Sequence, residues 1–264
     1  MSDYLYHYTS LETLKLILQN KNFRLSSLSR MDDLEEGDTQ DLQKLGRYIY
    51  ISSWTSNSNE SWSLWNYSKG MDGVRIRMKP NIFKTVNLNG DIELHGVNIS
   101  LDEELEFSPK VFELMQNEDI SFVPYKPELI RVTYTDLDKL LKPTVFTQCT
   151  CGNFEIQTGN LGIFKRIEWE EQKEWRYRLV SYPWNIRFQI SCAQNNTNHL
   201  LVEKIKSERD LGFIDLPLKD DVFDDLEVLC GPNMSTEGRE ELNRILAKYA
   251  SNASIKESKL KIRV

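Results

Sequence analysis

The chain has 264 residues, of which 40% are hydrophobic, and a formal net charge of -7. That length fits one domain with a well-filled core, and no Pro/Gly/Ser-rich linker divides it, so we expect a single domain over residues 1–264. No apolar run approaches the roughly 20 residues of a membrane span, and no signal-peptide segment is visible; we therefore expect a cytoplasmic protein with no membrane partner. The negative charge disfavours a general polyanion binder but allows a local basic groove.

The cysteine and acidic residues of this sequence do not have the spacing of a specific metal site. No second close pair of cysteines completes a zinc site, so free structural thiols are favoured at Cys149, Cys151, Cys192 and Cys230. An early acidic cluster is compatible with Mg²⁺, but a solvated helix start explains it better; its members are Asp32, Asp33, Glu35 and Glu36. We predict that the protein holds no metal.

Hydrophobic periodicity predicts an α+β fold. Period-two patterns predict strands at 3–8, 23–28, 47–55, 73–79, 129–135, 173–180, 225–230 and 259–264. Helical patterns predict helices at 10–20, 33–45, 60–68, 101–117 and 235–249. Helices are few after residue 118 and do not alternate regularly with strands, which argues against a doubly wound parallel sheet.

The first predicted strand runs directly into the first helix, and one of only three histidines, His7, lies near this junction. Thr9 and Glu12 have the spacing of a capping box, so helix capping is the simplest role of Thr9. The pattern alone fits a hydrogen-bonded core histidine about as well as a ligand contact. Its place between strand and helix favours the ligand contact.

Aromatic and basic side chains stand out in the first third of the chain. Trp62 and Trp65 are three residues apart on a predicted helix, a spacing more typical of core packing than of a cofactor site. We retain Trp65 and Tyr67 as site candidates. The 73–79 strand alternates apolar and basic residues, which predicts a half-buried strand with a basic outer face.

The most informative segment is 172–180, because it places ionisable side chains in a strand that otherwise has a buried pattern. Alternation should put Gln172 and Glu174 on one face with Arg176 and Arg178. A carboxylate among guanidinium groups stays ionised. The purely structural alternative is an ion pair between Glu174 and Arg176. The stretch 143–165 has loop composition and is a candidate lid or target-recognition element.

Three separated motifs together resemble the ADP-ribosyltransferase superfamily, through a bacterial domain-of-unknown-function family. The opening motif is Tyr6-His7-Tyr8-Thr9-Ser10. The middle motif is Trp65-Asn66-Tyr67 followed by Gly73-Val74-Arg75-Ile76. The last motif is Glu174-Trp175-Arg176. Each is short, but they occur in order, and the resemblance extends over most of the chain.

The resemblance implies an ADP-ribosyltransferase-like split β-sandwich with flanking helices, in which NAD lies as a substrate in a cleft between two small sheets. The nicotinamide would stack on an aromatic ring, here Trp65 or Tyr67. The superfamily's catalytic glutamate matches Glu174, which would stabilise the positive charge that develops on the ribose. Gln172 matches the first position of the Gln-x-Glu variant and would support catalysis or orient the acceptor.

The remaining implied NAD contacts come from the first strand and from the 47–55 strand. His7 places the chain with the superfamily's histidine-first group and would bind the adenosine-side ribose. Tyr8 and Thr9 would line the cleft, and Arg176 would lie beside the glutamate. The Ser-Thr-Ser element of the superfamily has an imperfect match in Ser53-Trp54-Thr55-Ser56, which leaves open whether Ser53 or Thr55 contacts Glu174.

We therefore expect a mono-ADP-ribosyltransferase that moves ADP-ribose from NAD to a macromolecule. The resemblance alone implies that the protein is a toxin of a bacterial defence or toxin–antitoxin module, for example in phage defence. Its implied partners are an antitoxin and a chaperone for that antitoxin. Two alternatives stay open: an NAD glycohydrolase with water as the acceptor, and a non-catalytic binding module of the same fold.

The acceptor class is weighed from one run of residues. Basic and aromatic side chains interleave from 176 to 188, as on a surface that stacks single-stranded nucleic acid; they are Arg176, Tyr177, Arg178, Tyr182, Trp184, Arg187 and Phe188. This favours RNA or single-stranded DNA over protein. The acidic balance of the whole chain points the other way and keeps a protein acceptor open.

Overall fold

The structure, a computed structural model, describes residues 3–42, 44–68, 70–148, 154–206 and 210–262 and has a mixed α+β architecture. The strands are β1 (Leu5–Thr9), β2 (Asn22–Ser27), β3 (Ile49–Thr55), β4 (Val74–Met78), β5 (Val86–Leu94), β6 (Val97–Phe107), β7 (Ser121–Phe122), β8 (Glu128–Arg131), β9 (Thr133–Tyr134), β10 (Phe146–Gln148), β11 (Phe154–Ile156), β12 (Phe164–Lys165), β13 (Glu174–Tyr182), β14 (Phe213–Pro217), β15 (Glu227–Cys230) and β16 (Ser254–Glu257). The α-helices are α1 (Leu11–Asn20), α2 (Trp62–Trp65), α3 (Pro109–Asn117), α4 (Asp138–Leu141), α5 (Ile186–Gln194), α6 (His199–Ile205) and α7 (Thr236–Tyr249).

Within the described residues, the central sheet has the strand order β14-β2-β3-β1-β4-β15-β16, and β13 pairs with β3, β7 and β8. Strand β13 follows β3 from the Glu174–Thr55 pair to the Val180–Ile49 pair. On the other side of β3, β1 pairs at Thr55, whereas β2 pairs at Tyr50 and Ile51. The two neighbours therefore diverge and leave an opening over the middle of β3.

The core lies on both faces of this sheet because alternate side chains of a strand point to opposite faces. Tyr50 belongs to a large cluster with the buried residues of α1 and α7. Ile49 and Ile51 belong to a second cluster with Cys192 of α5 and Ile205 of α6. Helices on one face and helices on the other thus hold the strands that border the opening.

Most predicted strands are confirmed to within a few residues, as are the helices at 10–20 and 235–249. Helix α1 is capped by Ser10, whose hydroxyl accepts from the Thr13 amide at 3.0 Å, so the predicted capping role of Thr9 is wrong. The predicted helix at 33–45 is also wrong. Gly37 has φ +80°, and a Cβ there would lie 2.4 Å from the Gly46 Cα, so this segment makes a tight glycine-to-glycine contact instead.

Further elements also differ from the sequence prediction. The predicted helix at 101–117 is strand β6 as far as Phe107, and α3 begins at Pro109 because a residue before proline disfavours the helical conformation. Helices α5 and α6 were not predicted. The last strand lies at β16 and not at 259–264, whose final two residues lie outside the described part. No helix among the described residues is long and apolar enough to cross a membrane.

Candidate active site

The opening over β3 is a cleft of about 420 Å³, within the usual range for small-molecule sites. We call it the cleft. Its floor is β3, and its walls come from β1 and α1 on one side and from β2 with the following turns on the other. The side chains that carry the chemistry are Tyr6, His7, Thr9, Asp32, Glu36, Ser53, Thr55, Tyr67, Lys165, Gln172, Glu174 and Arg176.

Glu174 opens strand β13 at the wall of the cleft and is only 4% exposed. Arg176 lies two positions further along the same face and makes a bidentate contact with the Glu174 carboxylate. Its Nε donates to Oε1 at 2.7 Å, and its Nη2 donates to Oε2 at 3.1 Å. Such bidentate pairs fix both orientation and charge. The ion pair that the sequence left as an alternative is therefore present, and it faces the cleft.

Lys165 of β12 adds a second cation that sequence analysis missed. Its Nζ donates to Gln172 Oε1 at 3.1 Å and to Glu174 Oε2 at 3.3 Å, and it lies 4.4 Å from the Trp169 ring centroid. Alternation predicted that Gln172 shares a strand face with Glu174. Gln172 instead is the last residue of a 3₁₀ helix and lies outside the strand. Lys173, with φ 44°, turns the chain so that Gln172 and Glu174 nevertheless both reach the cleft.

The protonation state of Glu174 follows from these neighbours. Burial opposes its ionisation, but the charges of Arg176 and Lys165 outweigh burial and lower the Glu174 pKa to about 2. The backbone amide of Glu174 donates to the Tyr134 hydroxyl at 2.8 Å, and burial raises the pKa of that tyrosine to about 12. At neutral pH the cleft therefore contains a fixed carboxylate, and a neutral phenol holds the backbone amide of the same residue.

Glu36 comes from the early acidic cluster, where the sequence predicted a solvated helix start; this prediction is wrong for Glu36. Its side chain is 3% exposed and forms an ion pair with Arg176, with 2.7 Å between Oε1 and Nη1. Nη2 of Arg176 also donates to Glu36 Oε2 at 3.1 Å. No local pattern links Glu36 and Arg176, which are 140 positions apart, so only tertiary structure identifies this pair.

The choice between Ser53 and Thr55 is resolved by their hydrogen bonds. The Ser53 side chain bonds to Glu174 and contributes to its lowered pKa. Thr55 lies directly opposite Glu174, but its hydroxyl donates to the Lys173 carbonyl at 3.4 Å and accepts from the Asn57 amide at 3.1 Å. Ser53 thus contacts the carboxylate, and Thr55 holds the turns at the ends of β3 and β13.

His7 lies where β1 diverges from β2. Its Nδ1 donates to the Ser53 carbonyl at 2.8 Å, since a carbonyl only accepts; Nε2 is then an acceptor in the neutral ring. Phe23 and Trp54 rings lie with their centroids 5.1 Å from the imidazole. Burial lowers the His7 pKa to about 4, although the bond to Ser53 opposes this effect. The ring is neutral at physiological pH.

The aromatic candidates separate into core and cleft. Trp65 is fully buried, donates from Nε1 to Glu60 at 3.2 Å and packs edge-on to Tyr8, so it does not line the cleft. Tyr67, 47% exposed, does line it, and its hydroxyl lies 3.5 Å from Gln172 Nε2. Tyr8 and Thr9 border the cleft as predicted but are themselves 8% and 6% exposed.

The predicted nucleic-acid surface at 176–188 is contradicted at four of its seven residues, whereas Arg187 is exposed and Tyr182 and Phe188 are partly exposed. Arg176, Tyr177, Arg178 and Trp184 are all less than 9% exposed, because β13 lies inside the sheet. Arg178 donates to the carbonyls of Gly159 and Leu161, so its charge is used internally. The predicted basic outer face of the 73–79 strand is likewise wrong at Arg75, which is buried against the Tyr6 ring.

No group of three or more His, Cys, Asp or Glu side chains in the described ranges is arranged to hold a metal ion. Cys192 and Cys230 are buried free thiols, whereas Cys149 and Cys151 lie outside the described residues. Much of the predicted lid at 143–165 is described, as the short strands β10, β11 and β12.

Comparisons with protein-family models, with curated proteins and with solved structures found no match to this chain. The site is therefore defined by its own groups. A buried, ionised carboxylate is clamped at one wall of the cleft, and a neutral imidazole lies where β1 and β2 separate. A half-exposed phenol ring borders the mouth. A fixed carboxylate in such a cleft can stabilise a positive charge on a bound molecule.

Proposed function

We propose that this protein is a mono-ADP-ribosyltransferase with an ADP-ribosyltransferase-like split β-sandwich fold, and that NAD binds in the cleft. One observation carries the proposal: the ionised Glu174 lies in a cleft formed where β1 and β2 diverge, with neutral His7 on β1. The divergence of the strands also supports the fold assignment.

The reaction breaks the bond between the nicotinamide nitrogen and C1′ of the ribose. The bonding electrons go to nicotinamide, which leaves as a neutral molecule, and C1′ becomes oxocarbenium-like. Glu174 stabilises this charge and accepts a hydrogen bond from the 2′-hydroxyl. A nucleophilic group of the acceptor then bonds to C1′ and releases its proton, so the products are ADP-ribosyl acceptor, nicotinamide and a proton.

The other cleft residues have supporting roles in this proposal. His7 Nε2 accepts from a hydroxyl of the adenosine-side ribose, because the neutral ring offers an acceptor there. The Ser53 hydroxyl orients Glu174. The Tyr67 ring stacks on nicotinamide, since Trp65 is enclosed in the core. The Gln172 amide, held by Lys165, orients the acceptor.

Incubation with labelled NAD tests the proposal. Purified protein is mixed separately with total RNA, single-stranded DNA and lysate protein; Glu174→Gln is the negative control, and Glu171→Gln, a neighbouring exposed carboxylate, is the matched control. Label that enters one polymer class only when Glu174 is intact supports transfer and names the acceptor. Label released as free ADP-ribose identifies a glycohydrolase, and no turnover contradicts both activities.

The acceptor and the biological role belong to the same proposal. With four of the seven side chains of the 176–188 run buried, the cleft itself does not distinguish RNA or single-stranded DNA from protein as the acceptor, so the three labelling arms decide. We propose a toxin that an antitoxin neutralises by covering the cleft. Expression of wild type, but not of Glu174→Gln, should then arrest growth, and equal growth of both strains would contradict the toxin role.

A further inference from the structure

Glu36 is buried in a place where a carboxylate is expensive. Its turn exposes Leu34 to 87% while enclosing the Glu36 side chain to 3%, the reverse of what the hydrophobic effect selects. The close contact of Gly37 with Gly46, together with the Gly46 amide bond to the Gly37 carbonyl at 3.0 Å, holds the turn in this orientation. A buried carboxylate is retained only where it is paired and hydrogen-bonded.

The partner of Glu36 is the guanidinium that holds the catalytic carboxylate. Arg176 donates from Nε and Nη2 to Glu174, from Nη2 to Glu36 Oε2, and from Nη1 to the Gly162 carbonyl at 3.0 Å. Its Nη1 also lies 2.7 Å from Glu36 Oε1 as an ion pair, without a hydrogen bond to that oxygen. All sides of the planar group are occupied, so it cannot turn in place. Glu36 therefore fixes the guanidinium from the side opposite Glu174.

Glu36 also sets the charge of the group. Arg176 and Lys165 contribute two positive charges, and Glu174 contributes one negative charge, so these three groups alone would carry +1. That excess would oppose a positive charge that develops beside Glu174. Glu36 restores the balance to zero while its own contact stays with the guanidinium.

We infer that Glu36 is a positioning residue of the reaction, which acts through Arg176 to hold Glu174 and to balance the charge around it. This inference rests on the proposed ADP-ribosyl transfer. Replacing Glu36 by glutamine keeps the shape but removes the charge, so kcat should fall by about 10- to 100-fold, the effect of one unit charge several ångströms away in a partly buried site. KM for NAD should change by less than about threefold, because Glu36 acts mainly on the charge of the transition state.

The matched control is Glu35→Gln. Glu35 is the adjacent carboxylate, 42% exposed, and pairs with Arg166 and Lys142 outside the cleft. Its loss should leave kcat within about twofold of wild type, as expected for an exposed pair remote from the reaction. A folded Glu36→Gln protein with wild-type kcat would overturn the inference, and so would an equal loss in both variants.

A measurement on unmodified protein keeps the inference testable if Glu36→Gln does not fold. Burial raises the pKa of Glu36, whereas that of Glu174 is about 2, so acid should neutralise Glu36 first; the charged or titratable groups around it are Arg176, Glu174, Lys165 and Tyr134. Wild-type kcat should therefore decline on acidification while the protein stays folded, and a flat profile would contradict the inference. Absence of NAD turnover by wild type at every pH would instead refute the proposed function itself.

Discussion

The two faces of strand β13 differ in chemistry: one is ionic and the other is apolar. One face carries Glu174, Arg176 and Arg178, all buried and all held by ion pairs or backbone carbonyls. The other carries Tyr177 and Leu179, which pack in the large apolar cluster. Removing apolar surface from water stabilises the fold directly, whereas burying ionic groups at best recovers their desolvation cost. The ionic face is therefore the one whose composition folding does not explain.

The largest expected effect is on the ionic face. Glu174→Gln should reduce kcat for NAD turnover by about 10³-fold, since it removes the charge that stabilises the oxocarbenium-like ribose. Arg176 keeps Glu36 and a glutamine oxygen as acceptors, so the variant should fold. Steady-state kinetics and thermal unfolding measure the two effects separately. If the folded Glu174→Gln variant turns over NAD at nearly the wild-type rate, the ionic face of β13 has no catalytic role.

The apolar face should respond in stability and not in activity. Leu179→Ala is expected to lower the free energy of unfolding by about 2 to 5 kcal/mol, because Leu179 is fully buried and its loss leaves a cavity. Denaturant titration measures this loss, and kcat per folded molecule should be unchanged. Leu34→Ala, at a leucine that is 87% exposed, is the control and should change stability by less than about 0.5 kcal/mol.

The aromatic ring at the mouth should affect NAD binding by a smaller amount. Tyr67→Ala should weaken binding by about 1 to 2 kcal/mol through loss of stacking, whereas Tyr67→Phe should retain most of the affinity. Calorimetry measures the NAD affinity of each Tyr67 variant. All variants also carry Glu174→Gln, which prevents turnover of NAD during the measurement. Trp62→Ala, on helix α2 just before Tyr67 and 55% exposed, is the control. Equal affinity of the alanine and phenylalanine variants would contradict stacking by Tyr67.

The smallest expected effect is the pH dependence of stability caused by His7. Its pKa is about 4 in the folded protein and near 6.5 when unfolded, so below pH 6.5 the unfolded chain takes up a proton that the folded protein does not. The free energy of unfolding should therefore be largest above pH 6.5 and fall as the pH decreases towards 4, by on the order of 1 to 2 kcal/mol because the ring is partly exposed.

The Glu174 pKa is about 2 in the folded protein and 4.5 when unfolded, so its contribution to stability begins to be lost only below about pH 4.5, at the acid end of this window. Denaturant unfolding of wild type, His7→Gln and His199→Asn at several pH values shows which histidine causes the pH dependence of the free energy of unfolding. His199 is exposed, and its variant should keep the wild-type slope between pH 6.5 and 4. If His7→Gln also keeps the full slope, the neutral state of His7 in the folded protein at this pH is contradicted.

The part of the candidate site that lies on strands could be predicted from the sequence. Glu174 and Arg176 are two positions apart on one strand, so alternation alone puts them on the same face. His7 was found from its place between an aromatic strand and an amphipathic helix. In both cases the information is local, because the backbone geometry of a strand is nearly independent of the rest of the chain.

The residues that sequence analysis missed or misplaced depend on distant partners. Lys165 has no pattern that relates it to Glu174, and Glu36 lies in an acidic run that is indistinguishable from a solvated one. Trp65 was retained as a site candidate because a tryptophan on a short helix carries no sign of which side faces the core. Burial of Arg176, Tyr177, Arg178 and Trp184 in the 176–188 run was likewise decided by the strands and helices that cover them.

The sequence by itself determined the α+β class, the main strands and helices α1 and α7, because periodicity of 2 or 3.6 residues expresses which face is buried. The tertiary structure alone decided that β1 and β2 diverge across β3, that Ser53 and not Thr55 meets Glu174, and that Glu36 closes the ion network. Register between strands and pairing between distant charges depend on the simultaneous packing of many elements. No short segment contains that information.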